Sequence, residues 1–298
     1  MSAQDSATPV RWITANHGTV LAATGVLSFS FSFPATVWAL DGFGPWTSTG
    51  LRGVLAALVA GTCLVAGRVP VPGRRHWPGL LVVAGGCVIG FPLLTTLALR
   101  TSSTAHSAVV IGLLPLATAI ASVARNGERP SRPFWYGAVA GAAAVIGFTL
   151  EQSHGRPTVA DLYLFGALLV CSAGYAEGGR LARHMPGWQV IAWGVVAALP
   201  ATAVVTALAL PSEPVHLTGR AVAGMLYVAV VSQFCGFVVW YRGMAAIGVA
   251  RASQLQLAQP LATLLWSVLL MGEHPSPVTP FTALAVLLAI TVTQRARA

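Results

Sequence analysis

The sequence predicts an all-α membrane protein of ten transmembrane helices, arranged as two inverted five-helix repeats. Three observations predict it: a composition too apolar for a soluble fold, a motif that occurs twice, and arginines confined to alternate loops. Of the 298 residues, 55% are hydrophobic and only 8% charged, with a mean hydropathy of +0.73. Soluble domains carry about a quarter charged residues.

A helix needs about 20 apolar residues to cross a bilayer. The first half offers five such segments: Thr19–Leu40, Thr47–Gly67, Gly79–Leu99, Thr104–Ala124 and Phe134–Leu150. The second offers Leu162–Leu181, Val190–Leu210, Gly219–Trp240, Arg251–Met271 and Val278–Thr293. Glycine, proline and charge mark the loops Arg68–Arg75, Gly127–Arg132, Glu151–Asp161 and Pro211–His216. The chain thus divides into a polar tail (1–18), a first repeat (19–152) and a second (160–294). The tail leads straight into a full-length span, so no cleavable signal is expected.

The duplication is direct. Pro115-Leu116-Ala117-Thr118 followed by Gly127-Glu128-Arg129-Pro130 recurs as Pro260-Leu261-Ala262-Thr263 followed by Gly272-Glu273-His274-Pro275. Ala105–Pro130 aligns on Ala250–Pro275 without a gap and with ten identities. Gly79-x-Leu81-x-Val83-Ala84 matches Gly224-x-Leu226-x-Val228-Ala229 at the same offset, and Gly53-Val54 echoes Gly194-Val195. Internal symmetry of this kind marks many secondary transporters.

All 17 basic residues are arginine, and they cluster in short loops. With the N-terminus inside, 13 lie in cytoplasmic segments, 3 (Arg100, Arg156 and Arg220) on the opposite side, and Arg52 within the second span. That asymmetry places both termini in the cytoplasm. It also makes the net charge of +9 a topology signal, not a nucleic-acid surface. Five spans per repeat then invert the second copy. The four cysteines fall in separate apolar segments with no CxxC spacing and read as small buried hydrophobes. Trp12, Trp38, Trp46, Trp77, Trp135, Trp188 and Trp240 lie near span ends and read as interfacial anchors.

Thr101–Phe148, with a proline midway along a helix and a Gly-Glu-x-Pro loop, resembles the first repeat of the EamA-type transporters. Phe237–Glu273 is similar to that family's second repeat almost throughout. The resemblance, to a branch of the drug/metabolite transporter superfamily, covers the chain from about Thr19 to Thr293. It implies ten helices in inverted repeats, a bacterial inner-membrane location and movement of small molecules, commonly export.

Polar side chains inside spans are costly and face a cavity or a partner helix. Gln256, Gln259, Thr263 and Ser267 form a stripe on one face of the ninth span, with Gln254 off it. They are expected to line a substrate cavity, with interhelical hydrogen bonding the competing role. Pro260 frees the Gln256 carbonyl, and Trp266 beside the stripe either stacks on substrate or packs. The fourth span is drier, with Thr118 and Ser122 around Pro115. Both prolines are expected to be hinges. Ser28 and Ser32 share a face of the first span and are pathway candidates. Arg52 is placed either to attract a substrate carboxylate or to reach the headgroups.

Glu177, three residues before Arg180, is either a local ion pair or a proton acceptor, and His106 is a second candidate for proton coupling. Glu128 and Glu273 are expected to cap helix ends structurally. In the resembled family the cavity is formed mainly by helices one, three, four, six, eight and nine, which adds Gln233 and Tyr175.

No Walker A motif, HExxH or GxSxG occurs, so neither ATP hydrolysis nor an enzyme is expected, and no cofactor or metal. An intramembrane enzyme and a channel are the weaker alternatives. The expected partners are a small-molecule substrate and the lipid bilayer, with protons a candidate coupling ion, no nucleic acid, and a monomer or weak homodimer. Amino-acid-like metabolites fit better than cationic drugs, because only Glu177 could serve a cation exporter.

Overall fold

The structure is a computed structural model, and it describes residues 8–127, 129–152, 158–274, 277–278, 281, 284–285, 288–289 and 292. Among the described residues, eight spans are long and apolar enough to cross a membrane. They are His17–Leu40, Pro45–Ala66, Arg74–Ala98, Thr104–Arg125, Val159–Leu181, Gly187–Ala209, Gly219–Ile247 and Val249–Met271. The expected fifth span is also helical, over Arg132–Gln152. The expected tenth, Val278–Thr293, lies largely outside the described residues.

The first span starts earlier than expected, because helix α1 (Thr8–Ser30) runs back into the polar tail. It breaks at Phe31 and resumes as α2 (Ser32–Leu40). The cause is Pro34: without an N–H it leaves the Ser30 carbonyl no donor four residues on. Helix α3 (Pro45–Ala66) starts with proline in its first turn, where the missing N–H costs nothing.

The third span is α4 (Trp77–Val83), a π-helical segment (Ala84–Gly90) and α5 (Phe91–Ala98). The fourth is α6 (Thr104–Ile111) and α7 (Leu114–Asn126), interrupted just before Pro115. Next come α8 (Arg132–Gln152), α9 (Val159–Leu181) and α10 (Gly187–Ala209). The eighth span repeats the third: α11 (Gly219–Leu226), a π segment (Tyr227–Cys235) and α12 (Gly236–Ile247). The ninth repeats the fourth, α13 (Val249–Leu255) and α14 (Ala258–Met271) breaking just before Pro260.

The duplicate alignment pairs Ala84 with Ala229 and Pro115 with Pro260. The irregular backbone therefore recurs at matching places in the two copies. π turns and breaks leave backbone groups outside the regular ladder, and in a membrane these persist only where protein or a cavity satisfies them. Regular helices around them do the packing: α3 lies along α10 and α1 along α12. The π segment at Gly86 packs so tightly on α9 that a Cβ there would run into the Val170 carbonyl.

Candidate functional site: a polar layer among broken helices

Arg52 sits on α3, 6% exposed, and turns into the bundle instead of toward the headgroups. Its Nε donates to Gln233 Oε1 at 2.8 Å and its Nη2 to Ser232 Oγ at 3.2 Å. Both acceptors lie on the π segment of the eighth span. Gln233 Nε2 in turn donates to the Cys87 carbonyl (3.1 Å) on the π segment of the third span. The Ser232 and Ser32 hydroxyls share a hydrogen bond at 2.7 Å. Four spans thus meet on one cation through neutral groups only. Tyr175 on α9, 4% exposed, packs its ring on Phe237 and Trp240.

A second cluster forms where the first span breaks. Thr263 Oγ1 donates to the Ser30 carbonyl freed by Pro34, at 2.7 Å. Trp266 Nε1 donates to Ser30 Oγ at 3.0 Å, and the Tyr227 hydroxyl to the Ser28 carbonyl at 2.9 Å. Phe31, at the break itself, meets Tyr227, Trp38 and Trp266 edge to face, with ring centroids 4.8, 5.3 and 5.8 Å away.

The stripe expected on the ninth span is interrupted, because Gln256 falls in the break between α13 and α14. Its carbonyl is not left open: the Gln259 N–H occupies it at 2.9 Å in a tightened turn. The amides matter more. Gln254 and Gln256 are buried, and none of their four side-chain polar atoms has a hydrogen-bond partner. Tyr175 approaches Gln256, in a geometry too poor to satisfy it. Thr118 and Ser122 on α7 are likewise buried with unpartnered hydroxyls, and α7 packs against α13. Gln259 is half-buried. Ser267 and Ser28 satisfy their own helices, donating to Leu264 (2.9 Å) and Thr24 (3.0 Å) carbonyls.

Among the described residues, the carboxylates lie toward helix ends and in loops. Glu177 is clamped by Arg125 Nε (2.8 Å) on one oxygen and by Arg180 Nε (3.0 Å) on the other, so proton coupling through it requires breaking two ion pairs. His106 is not a lone interfacial histidine, since its Nε2 lies 2.7 Å from Asp161 Oδ1. Asp161 also closes a capping box with Thr158 at the start of α9. Glu273 reaches the start of α6. Its two oxygens accept the Thr104 and Ala105 N–H groups of α6, each at 3.1 Å, while Gly272 ends α14 at φ 67°. Glu128 lies outside the described residues.

The chain as a whole resembles known proteins. The family model for EamA-like transporters matches residues 16–150 and 158–294. The chain belongs to the EamA-like transporter family. It is therefore a multi-pass membrane transporter of a bacterial family, not an enzyme. It is 40% identical over 279 residues to the uncharacterized transporter YdeK of Bacillus subtilis, covering 94% of this chain and 97% of that one. A second Bacillus subtilis uncharacterized transporter, YcbK, is 24% identical over 271 residues, covering 86% of each chain. One crystal structure superposes with a TM-score of 0.75 at 21% identity, covering 93% of this chain and 98% of its own, which shows the shared fold alone.

Within this EamA-like chain, the settings of Gln254, Glu213 and Trp240, like those of Ser232, Asp161 and Tyr227, are not visible in the sequence. Gln254 falls off the polar stripe only if the ninth span is an unbroken helix, which it is not. Glu213 caps α3 from the loop after α10, accepting the Thr47 N–H at 2.7 Å. No local motif marks it, because its partner lies far away in sequence. Trp240 lies near a span end in the sequence, yet it is fully buried and anchors no interface. Its ring packs on Phe29 and Tyr175, with centroids 6.2 and 5.6 Å apart.

Proposed function

We propose that the protein is a secondary transporter, independent of ATP, that exports small polar or amphipathic metabolites such as amino acids by alternating access. Ten helices in inverted repeats, with both termini cytoplasmic, complete this reading. Gln254 and Gln256 carry it. A buried amide without partners costs about 1–3 kcal/mol, a cost that packing alone does not explain and that a polar solute would offset. The helix breaks at Pro115 and Pro260 supply joints at which the wall of such a site can move.

A proton-coupled exporter of cationic drugs is supported less well. It calls for a buried carboxylate able to face the substrate, and the five described acids are each engaged elsewhere: Asp41 with Arg220, Asp161 with His106, Glu177 with two arginines, Glu213 and Glu273 with helix ends.

The test is flux in proteoliposomes for amino acids, sugars, nucleosides and cationic drugs, with and without a pH gradient. Export of a polar metabolite that falls several-fold in Gln256→Ala supports the reading. Movement of cations alone, abolished by Glu177→Gln, contradicts it.

A further inference from the structure

We infer that Arg52 is the anion anchor of the transport site, and that the substrate carries a carboxylate that docks end-on against its guanidinium. The inference rests on the transport reading above and narrows it to a charge class.

An ionised guanidinium buried among apolar helices is costly unless it is paired. Its partners here, Gln233 and Ser232, are neutral. None of the described acids reaches it, and Asp5, Glu128 and Glu151 lie outside the described side chains. The protein itself therefore places no described counter-ion beside Arg52.

A guanidinium presents two edges, each able to hold a carboxylate by two parallel N–H bonds. The Nε–Nη2 edge is occupied by Gln233 Oε1 and Ser232 Oγ. The Nη1–Nη2 edge is not: Nη1 donates to no described residue. Gln233 is itself fixed by the Cys87 carbonyl, so the guanidinium is held with its end-on edge preset.

Gly53-Val54 pairs with Gly194-Val195, which puts Arg52 opposite Trp193. The second copy builds the same helix without a cation. The architecture does not need the charge, whereas a single asymmetric binding site does.

A binding assay on the purified full-length protein tests this. L-amino acids and simple monocarboxylic acids are each compared with their own primary amides, which keep the shape and lose the charge. Thermal stabilisation is read for wild type, Arg52→Lys, Arg52→Gln and Gln233→Glu. The last variant places a carboxylate 2.8 Å from Arg52 Nε, an internal competitor that also pairs the buried charge and so preserves folding.

At least one acid is expected to bind about ten-fold or more tightly than its amide, with an intermediate loss in Arg52→Lys and a full loss in Arg52→Gln and Gln233→Glu. Equal binding of acid and amide overturns the proposal, as does undiminished acid binding in Gln233→Glu or no acid binding at all. Liposome flux separates the two levels. Movement of neutral polar solutes without any acid overturns the anchor and leaves the transport reading standing; movement of cations alone overturns both. Movement of nothing in the panel overturns the transport reading.

Discussion

The hydroxyl of Thr263 donates to the carbonyl of Ser30 at 2.7 Å, the one carbonyl that Pro34 strips of its intrahelical donor. A threonine of the second repeat thus repairs a break in the first, and the two residues hold the first span in its interrupted form. Thr263→Val should lose about 1 kcal/mol, the net worth of one hydrogen bond. In a Pro34→Ala background, where the substituted position regains a backbone N–H, the same change should cost less. A double-mutant cycle by thermal unfolding checks this. Additive costs would show that the bond and the break are unrelated.

Gln256→Leu should separate stability from transport. Removing two unpartnered polar atoms from a buried site should raise stability by about 1–3 kcal/mol, while export falls. A gain in melting temperature with full flux would make Gln256 merely structural. Loss of both would mean the amide has a partner in the resting protein.

Glu273→Gln keeps the shape of the α6 cap and discards its charge. It should cost about 0.5–1 kcal/mol through the lost interaction with the helix terminus, with Glu273→Ala costing more. Urea or thermal unfolding of the two variants gives the ranking. An unchanged Glu273→Ala would show that the cap contributes nothing.

Glu177→Gln should lower stability by about 1–2 kcal/mol, at the low end for bonds between charged groups, because Arg180 is itself 31% exposed. Its flux should keep the wild-type response to a pH gradient. A response that disappears in this variant would make Glu177 the proton carrier.

How much of this is legible in the sequence varies with the range of the interaction. The spans, the duplication and the prolines can be read because apolar length and helix breaking are local properties. So can the polar content of the ninth span. Its arrangement cannot: a stripe of Gln256, Gln259, Thr263 and Ser267 assumes a regular helix, and the break turns Gln256 out of register and brings Gln254 inside. Arg52 stays ambiguous in the sequence because its environment is set by Gln233, Ser232 and Ser32, from spans distant along the chain. Glu273 is recognisable as a cap, yet its partner helix follows from tertiary packing alone.

Comparing the untargeted exometabolome of cells making the protein with that of cells making Gln256→Leu at equal abundance tests export of a small polar metabolite past Gln256 and Arg52. A small set of metabolites is expected to accumulate outside only with the wild type. Identical exometabolomes, or accumulation that Gln256→Leu leaves intact, would contradict it.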